Sequence, residues 1–153
     1  MAIPKSIRDA QGVWTGNSKL HLSWNQPPEN ILESFSNLSI ALDPIGEFAL
    51  VDYDWIYKGE MQHGQMLVAG NTESGEVSGG WADSWHQNTA VMALSGTGMD
   101  GEINLKGEYA VEGHPNWGWR ITLELADESL MFWMYNVSPE GDEEWAVEGT
   151  YGR

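Results

Sequence analysis

Ile103-Asn-Leu-Lys-Gly-Glu-Tyr-Ala-Val111 and Trp117-Gly-Trp-Arg-Ile-Thr-Leu-Glu-Leu125 decide the fold. In the first stretch Ile103, Leu105, Tyr109 and Val111 share one parity, and Glu102, Asn104, Lys106 and Glu108 hold the other. In the second, Trp119, Ile121, Leu123 and Leu125 alternate with Arg120, Thr122 and Glu124. A period of two with one apolar and one polar face describes a half-buried antiparallel strand. Trp145–Tyr151 repeats it, with Trp145, Val147 and Tyr151 against Glu148 and Thr150. In Phe48–Tyr57 the acids Asp52 and Asp54 oppose Val51, Tyr53, Trp55 and Tyr57. Leu130–Val137 is apolar on both parities, which leaves its inner face unassigned.

Working outward, the same alternation places further strands at Trp14–Trp24, Phe35–Leu42, Met61–Ala69, Val77–Trp85 and Asn88–Leu94. Turn residues separate these runs: Gln26-Pro-Pro-Glu-Asn30, Asp43-Pro-Ile-Gly46, Lys58-Gly59, Asn71–Gly75, Asp100-Gly101, Gly113-His-Pro-Asn116, Asp127-Glu128 and Pro139–Asp142. Each supplies a glycine for positive φ, a proline for fixed φ, or an Asx side chain for local hydrogen bonds. Ser6-Ile-Arg-Asp9 predicts one short helix with a capping box, closing a barrel end or leading in. About ten short strands with hairpin links predict an all-β, antiparallel up-and-down barrel, because closure removes exposed sheet edges. A sandwich is the alternative, and the absence of a long crossover argues against it. A barrel wider than about eight strands has room inside for a ligand. Gly79, Gly80, Gly107 and Gly149 fall within strand runs and suit bends of a coiled sheet.

The whole chain, 153 residues and 17.0 kDa, is the size of one domain. Seven basic against 23 acidic residues give a net charge of −16, which repels phosphate, so neither nucleic acid nor an anionic membrane is an expected partner. There is no Cys, hence no disulfide and no thiolate metal site. No apolar leader or membrane-length apolar run is present, and a cytoplasmic location is expected.

Gly12-Val-Trp14, at the start of the first strand, resembles the opening signature of the calycins, the lipocalin and fatty-acid-binding-protein superfamily. Trp81-Ala-Asp-Ser-Trp-His86, Pro115-Asn-Trp-Gly-Trp-Arg120, Met134–Gly141 and Val147–Arg153 extend the likeness to a bacterial domain-of-unknown-function family with a lipocalin-like barrel. The resemblance covers roughly Asp9 to Arg153. It implies a fold and no settled activity. By analogy with lipocalins, Trp14 would pack on Arg153 or Arg120 at the closed end.

The nine Trp serve either as packing or as the wall of a ligand cavity with indole N–H handles. Trp55, Trp81, Trp85, Trp117 and Trp119 are the cavity candidates, together with Tyr53 and Tyr135; Trp14, Trp24 and Trp145 read as packing. Asp83 shares parity with Trp81 and Trp85, so on an interior face its carboxylate needs a donor: a Trp N–H, Arg120 or His86. His86 is either a bonded strand-end histidine or a group at the cavity mouth that meets a ligand or acts as a base. Arg120 beside two Trp is either an ion-pair partner of Glu124, Glu148 or Asp83, or the anchor of an anionic head group. Asp52 with Asp54, and Glu143 with Glu144, read as solvated acidic surface. His21, His63, His86 and His114 lack metal-ligand spacing, and no phosphate loop, nucleotide fingerprint or nucleophile elbow occurs. No metal and no cofactor is expected. Haem-binding members of the resembled superfamily leave His86 or His114 as axial candidates.

Three functions follow as expectations. The first is non-catalytic binding of a small apolar or amphipathic molecule inside the barrel, anchored by Arg120 or His86. The second is an enzyme, an isomerase or hydrolase, using His86 with Asp83. The third is a structural module, a homodimer joined through the two-faced Leu130–Val137 strand.

Overall fold

The computed structural model describes residues 3–87, 90–99 and 101–153. Met1, Ala2, Asn88 and Thr89 of the expected Asn88–Leu94 strand, and Asp100 of the expected Asp100-Gly101 turn, lie outside the described residues. A short helix, α1 (Lys5–Asp9), precedes ten strands: β1 (Gly12–His21), β2 (Ile31–Leu42), β3 (Phe48–Tyr57), β4 (Glu60–Gly70), β5 (Glu76–Asp83), β6 (Met92–Met99), β7 (Glu102–Val111), β8 (His114–Ala126), β9 (Ser129–Val137) and β10 (Glu143–Gly152). Each strand pairs antiparallel with its sequence neighbours, and β1 also pairs with β10, from Thr15↔Gly152 to Leu20↔Val147, to close the barrel. No described helix is long and apolar enough to cross a membrane.

Most of the alternation read from the sequence is also an alternation of burial, with Thr122 on the polar parity of β8 an exception. Ile103, Leu105, Ile121 and Leu123 are buried, while Glu102, Lys106 and Glu124 face water. The strand with two apolar faces resolves in the same way: Leu130, Phe132 and Met134 point inward, and Met131, Trp133 and Tyr135 lie on the outer wall. Other boundaries moved. β1 stops at His21, because the chain turns through Leu22–Asn25, and Trp24 stands 69% exposed there instead of packing. β6 runs on through Ser95-Gly-Thr-Gly-Met99, a stretch with little apolar alternation to announce it. It is a strand because Gly96 allows its backbone to lie against the Asn104 carbonyl, where a Cβ would not fit. His114-Pro-Asn116 belongs to β8, with the turn confined to Glu112-Gly113.

α1 begins after Pro4, and no side chain caps it, so the expected capping box does not form: Ser6 sits inside the helix. Its role is that of a plug. Ile3, Ile7 and Ala10 are fully buried, and Lys5 pairs with Asp9 one turn on. The end that α1 covers also carries the β2–β3, β4–β5, β6–β7 and β8–β9 turns. The opposite, hairpin end carries β1–β2, β3–β4, β5–β6, β7–β8 and β9–β10.

Trp14 locks the helix end. Its Nε1–H donates to the Ala10 carbonyl at 2.8 Å, and the Arg153 guanidinium lies 4.2 Å over its ring. Arg153 in turn donates to the carbonyls of Gln11 and Asp9 at 2.6 and 2.9 Å. The last residue thus ties the start of the chain to the closing strand pair. Arg153→Ala should lower stability by about 1–2 kcal/mol in urea unfolding. Arg153→Lys should restore only part of it, because an ammonium cannot both stack and fork. An unchanged midpoint in Arg153→Ala would show that this contact does not help close the barrel.

Candidate functional site

A carboxylate in the hairpin half of the barrel organises the site. Asp83 is the last residue of β5, inward like Trp81 two positions before it, and almost completely buried. A buried charge is tolerated only when its oxygens are well bonded. Oδ1 accepts the backbone N–H groups of Trp85 and His86, each at 2.9 Å, as the chain folds back on itself after the strand. His86 Nδ1 lies 3.1 Å from the same oxygen. Oδ2 accepts the Tyr53 hydroxyl at 2.7 Å and the Trp55 indole N–H at 3.4 Å, both from β3. Trp81 donates its own N–H to the Tyr53 oxygen at 2.8 Å. The Tyr53 ring lies directly over Gly64 of β4, where any Cβ would collide with it.

His86 sits inside a cage of indoles. Its ring centroid is 5.7 Å from Trp55, 5.9 Å from Trp81, 4.8 Å from Trp85 and 5.4 Å from Trp119. Trp81 and Trp119 are stacked at 5.3 Å with planes 9° apart, and Trp85 also packs on Tyr57. Only 9% of the His86 side chain is exposed. Two ring nitrogens in this cluster, His86 Nε2 and Trp119 Nε1, are buried without a protein hydrogen-bond partner. Each such group costs about 1–3 kcal/mol unless something bonds it.

The room beside this cluster is unevenly distributed. The aromatic side chains fill most of the barrel, and the enclosed cavity bordered by Ser18, Tyr53, Asp83, His86, Phe132 and Tyr151 measures about 10 Å³, the space of one water. Nearer the rim, a cleft of about 400 Å³ is lined by Tyr109, Val111, His114, Trp117 and Asn136. Trp117 pairs with Tyr109 across β7–β8, and Asn136 pairs with Trp119 across β8–β9, so the cleft runs down to the residues flanking Trp119. Tyr109 donates to Asn136 Oδ1 at 2.5 Å. A groove of about 500 Å³ also exists at the helix end, lined by Pro4, Lys5, Ser6, Asp9 and Met99 among others, but it has no aromatic wall.

Seven of the sequence candidates therefore meet in space: Tyr53, Trp55, Trp81, Asp83, Trp85, His86 and Trp119. Trp117 lies at the rim. Arg120 and Tyr135 do not join them. Both lie on the outer wall, where the Arg120 guanidinium stacks 4.1 Å over the Tyr135 ring and makes a fork of hydrogen bonds to Glu143 at 2.6 and 2.8 Å. Its ion-pair partner is Glu143, not Glu124, Glu148 or Asp83, because the β9–β10 turn brings that acid beside β8. Trp145 is likewise outside and not on the inward face of Val147 and Tyr151 as its parity predicts, because a bulge between Trp145 and Val147 shifts the β10 register; it stacks on His21 at 4.5 Å. Sequence reading missed Ser18, Ser36, Tyr109 and Asn136. A small polar residue on an apolar parity was the available signal: Ser36 is fully buried, donates to the Asp54 carbonyl at 2.6 Å and takes the Tyr151 hydroxyl at 2.8 Å. Burial pushes that Tyr151 phenol up to about 12. A haem on His86 does not fit: the four indoles packed around its ring leave no space for a macrocycle.

Burial alone would raise the Asp83 pKa, but the His86 and Tyr53 bonds outweigh it and hold the carboxyl at about 2. The folded value lies below the ordinary 3.8, so the stabilisation is complete above that pH and is lost as pH falls through about 2. Acid unfolding should show a loss of about 2 kcal/mol across this window. Asp83→Asn should abolish that portion of the acid response and be less stable at neutral pH. An unaltered pH profile would contradict the assignment. Tyr53→Phe should cost about 1–3 kcal/mol, since it strands the Trp81 N–H.

No curated protein matches the chain. A family described as a protein of unknown function (DUF1579) matches residues 5–153, and the chain belongs to that family.

Proposed function

We propose that the hairpin end of the barrel binds a small, partly apolar molecule without converting it. One observation carries the reading: His86 Nε2 and Trp119 Nε1, on neighbouring rings, are buried and unpartnered by the protein, beside a network in which Asp83, Tyr53, Trp55 and Trp81 are bonded to one another. A pair of destabilising orphans beside an aromatic cleft is what a ligand's polar end would satisfy. The rim cleft supplies the volume that the filled interior lacks. The ligand sits at the mouth and dips one group inward; it does not fill the barrel. The interior carboxylate near it, Asp83, is already bonded, and Arg120 faces outward, so among the described residues an anionic head group finds no matching interior guanidinium. The calycin likeness fits this reading, supported by the Trp14–Arg153 contact that the resemblance implied. A bacterial, cytoplasmic setting belongs to the same proposal, resting on the resemblance and on the lack of Cys.

A second reading has its own observation. Asp83 beside Nδ1, with Nε2 left free, is the arrangement in which a carboxylate orients a histidine base. An isomerase or hydrolase of this kind would lose turnover in His86→Gln while still holding its substrate.

Native mass spectrometry of protein purified without denaturation tests the first reading. The expected spectrum contains a species heavier than the 17.0 kDa chain by one small molecule. That species should be lost in Trp119→Phe. A bare chain alone, with the Trp119 indole resonance unmoved by a panel of small aromatic compounds, would contradict it.

A further inference from the structure

The directions of the hydrogen bonds around Asp83 are dictated by chemistry. An indole nitrogen only donates, so Trp81 must give its hydrogen to the Tyr53 oxygen. The Tyr53 proton is then directed at Asp83 Oδ2. Oδ1 accepts two backbone N–H groups. Every remaining contact of the carboxylate is one in which it accepts, so it has no proton to offer His86. The hydrogen of the 3.1 Å contact therefore sits on His86 Nδ1. In the neutral ring this leaves Nε2 as a lone pair, an acceptor.

The two orphan nitrogens are thus of opposite kinds. Trp119 Nε1 offers a hydrogen, and His86 Nε2 asks for one. The two rings are neighbours, with centroids 5.4 Å apart, so a single polar group entering between them meets both. A carboxylate, ketone or ether oxygen only accepts, and an ammonium only donates. A hydroxyl does both. A net charge of −16 further disfavours an anion, and Trp117 with Tyr109 offers apolar faces to a flat ring at the rim.

We propose that the buried end of the ligand is a hydroxyl on a neutral, ring-bearing molecule, giving its hydrogen to His86 Nε2 and taking one from Trp119 Nε1. This rests on the binding reading above and adds the chemical class of what is bound.

Three probes with one ring separate the two claims: phenol, anisole and acetophenone. Each is titrated into the ¹⁵N-labelled full chain at about pH 8.5 while the Trp119 indole N–H resonance is followed. Phenol is expected to bind at least about tenfold more tightly than either analogue, the difference made by one buried hydrogen bond. In His86→Phe, checked for retained fold by circular dichroism, that preference should fall to near unity. Equal binding of all three would overturn the hydroxyl assignment and leave the binding reading standing. No response to any probe would overturn both. A long-range ¹H–¹⁵N spectrum placing the neutral His86 proton on Nε2 would overturn the hydroxyl assignment by itself.

Discussion

The hairpin half of this barrel depends on the solvation of one carboxylate by protein. Asp83 is charged and almost completely buried, and removing a carboxylate from water is costly unless fixed donors replace the water. Those donors come from places far apart in sequence: Tyr53 and Trp55 on β3, and the backbone of the turn after β5. Satisfying Asp83 places the Tyr53 phenol, which in turn takes the Trp81 indole, and it holds His86 back over the barrel mouth. The aromatic cage is a consequence of that arrangement.

The same logic explains why this wide barrel has so little enclosed space. Ten strands define a cross-section with room for a ligand, but indole, phenol and aliphatic side chains crowd it, and the cavity beside His86 measures about 10 Å³. The helix half is packed as an ordinary core, plugged by α1 and sealed by Trp14 with Arg153. Open volume lies instead at the mouth, bordered by Trp117, Tyr109 and Asn136. The many acids do not contribute to it: Asp52, Asp54 and Glu143 lie on the outer wall, bonded to His63, Asn37 and Arg120.

Much of the fold was legible because a half-buried strand writes its two faces into alternate residues, as in Ile103–Val111. It became illegible where side chains carry no alternation. Ser95–Met99, beyond the expected end of the strand at Leu94, continues it, because the ladder there needs close backbone approach more than apolar surface. At the site, Trp81 and Asp83 could be placed on one face by parity, and the need of Asp83 for donors followed from its burial. Of the expected donors, His86 and a Trp N–H are found and Arg120 is not; Tyr53 was not foreseen, since it lies thirty positions away and reaches Asp83 only through the β3–β4–β5 register. Arg120 shows the opposite error. Its neighbours suggested an anchor and its parity with Thr122 and Glu124 left its direction open; it lies outside, paired with Glu143 at the start of β10.

The central claim is that the two unpartnered nitrogens exist for a bound molecule. The most direct measurement is a high-resolution crystal structure of protein purified from its own cells without denaturation. The account predicts density for a small organic molecule at the hairpin end, with a polar atom within hydrogen-bond distance of both His86 Nε2 and Trp119 Nε1. Both nitrogens bonded only to ordered water, or to a repositioned protein group, would contradict it.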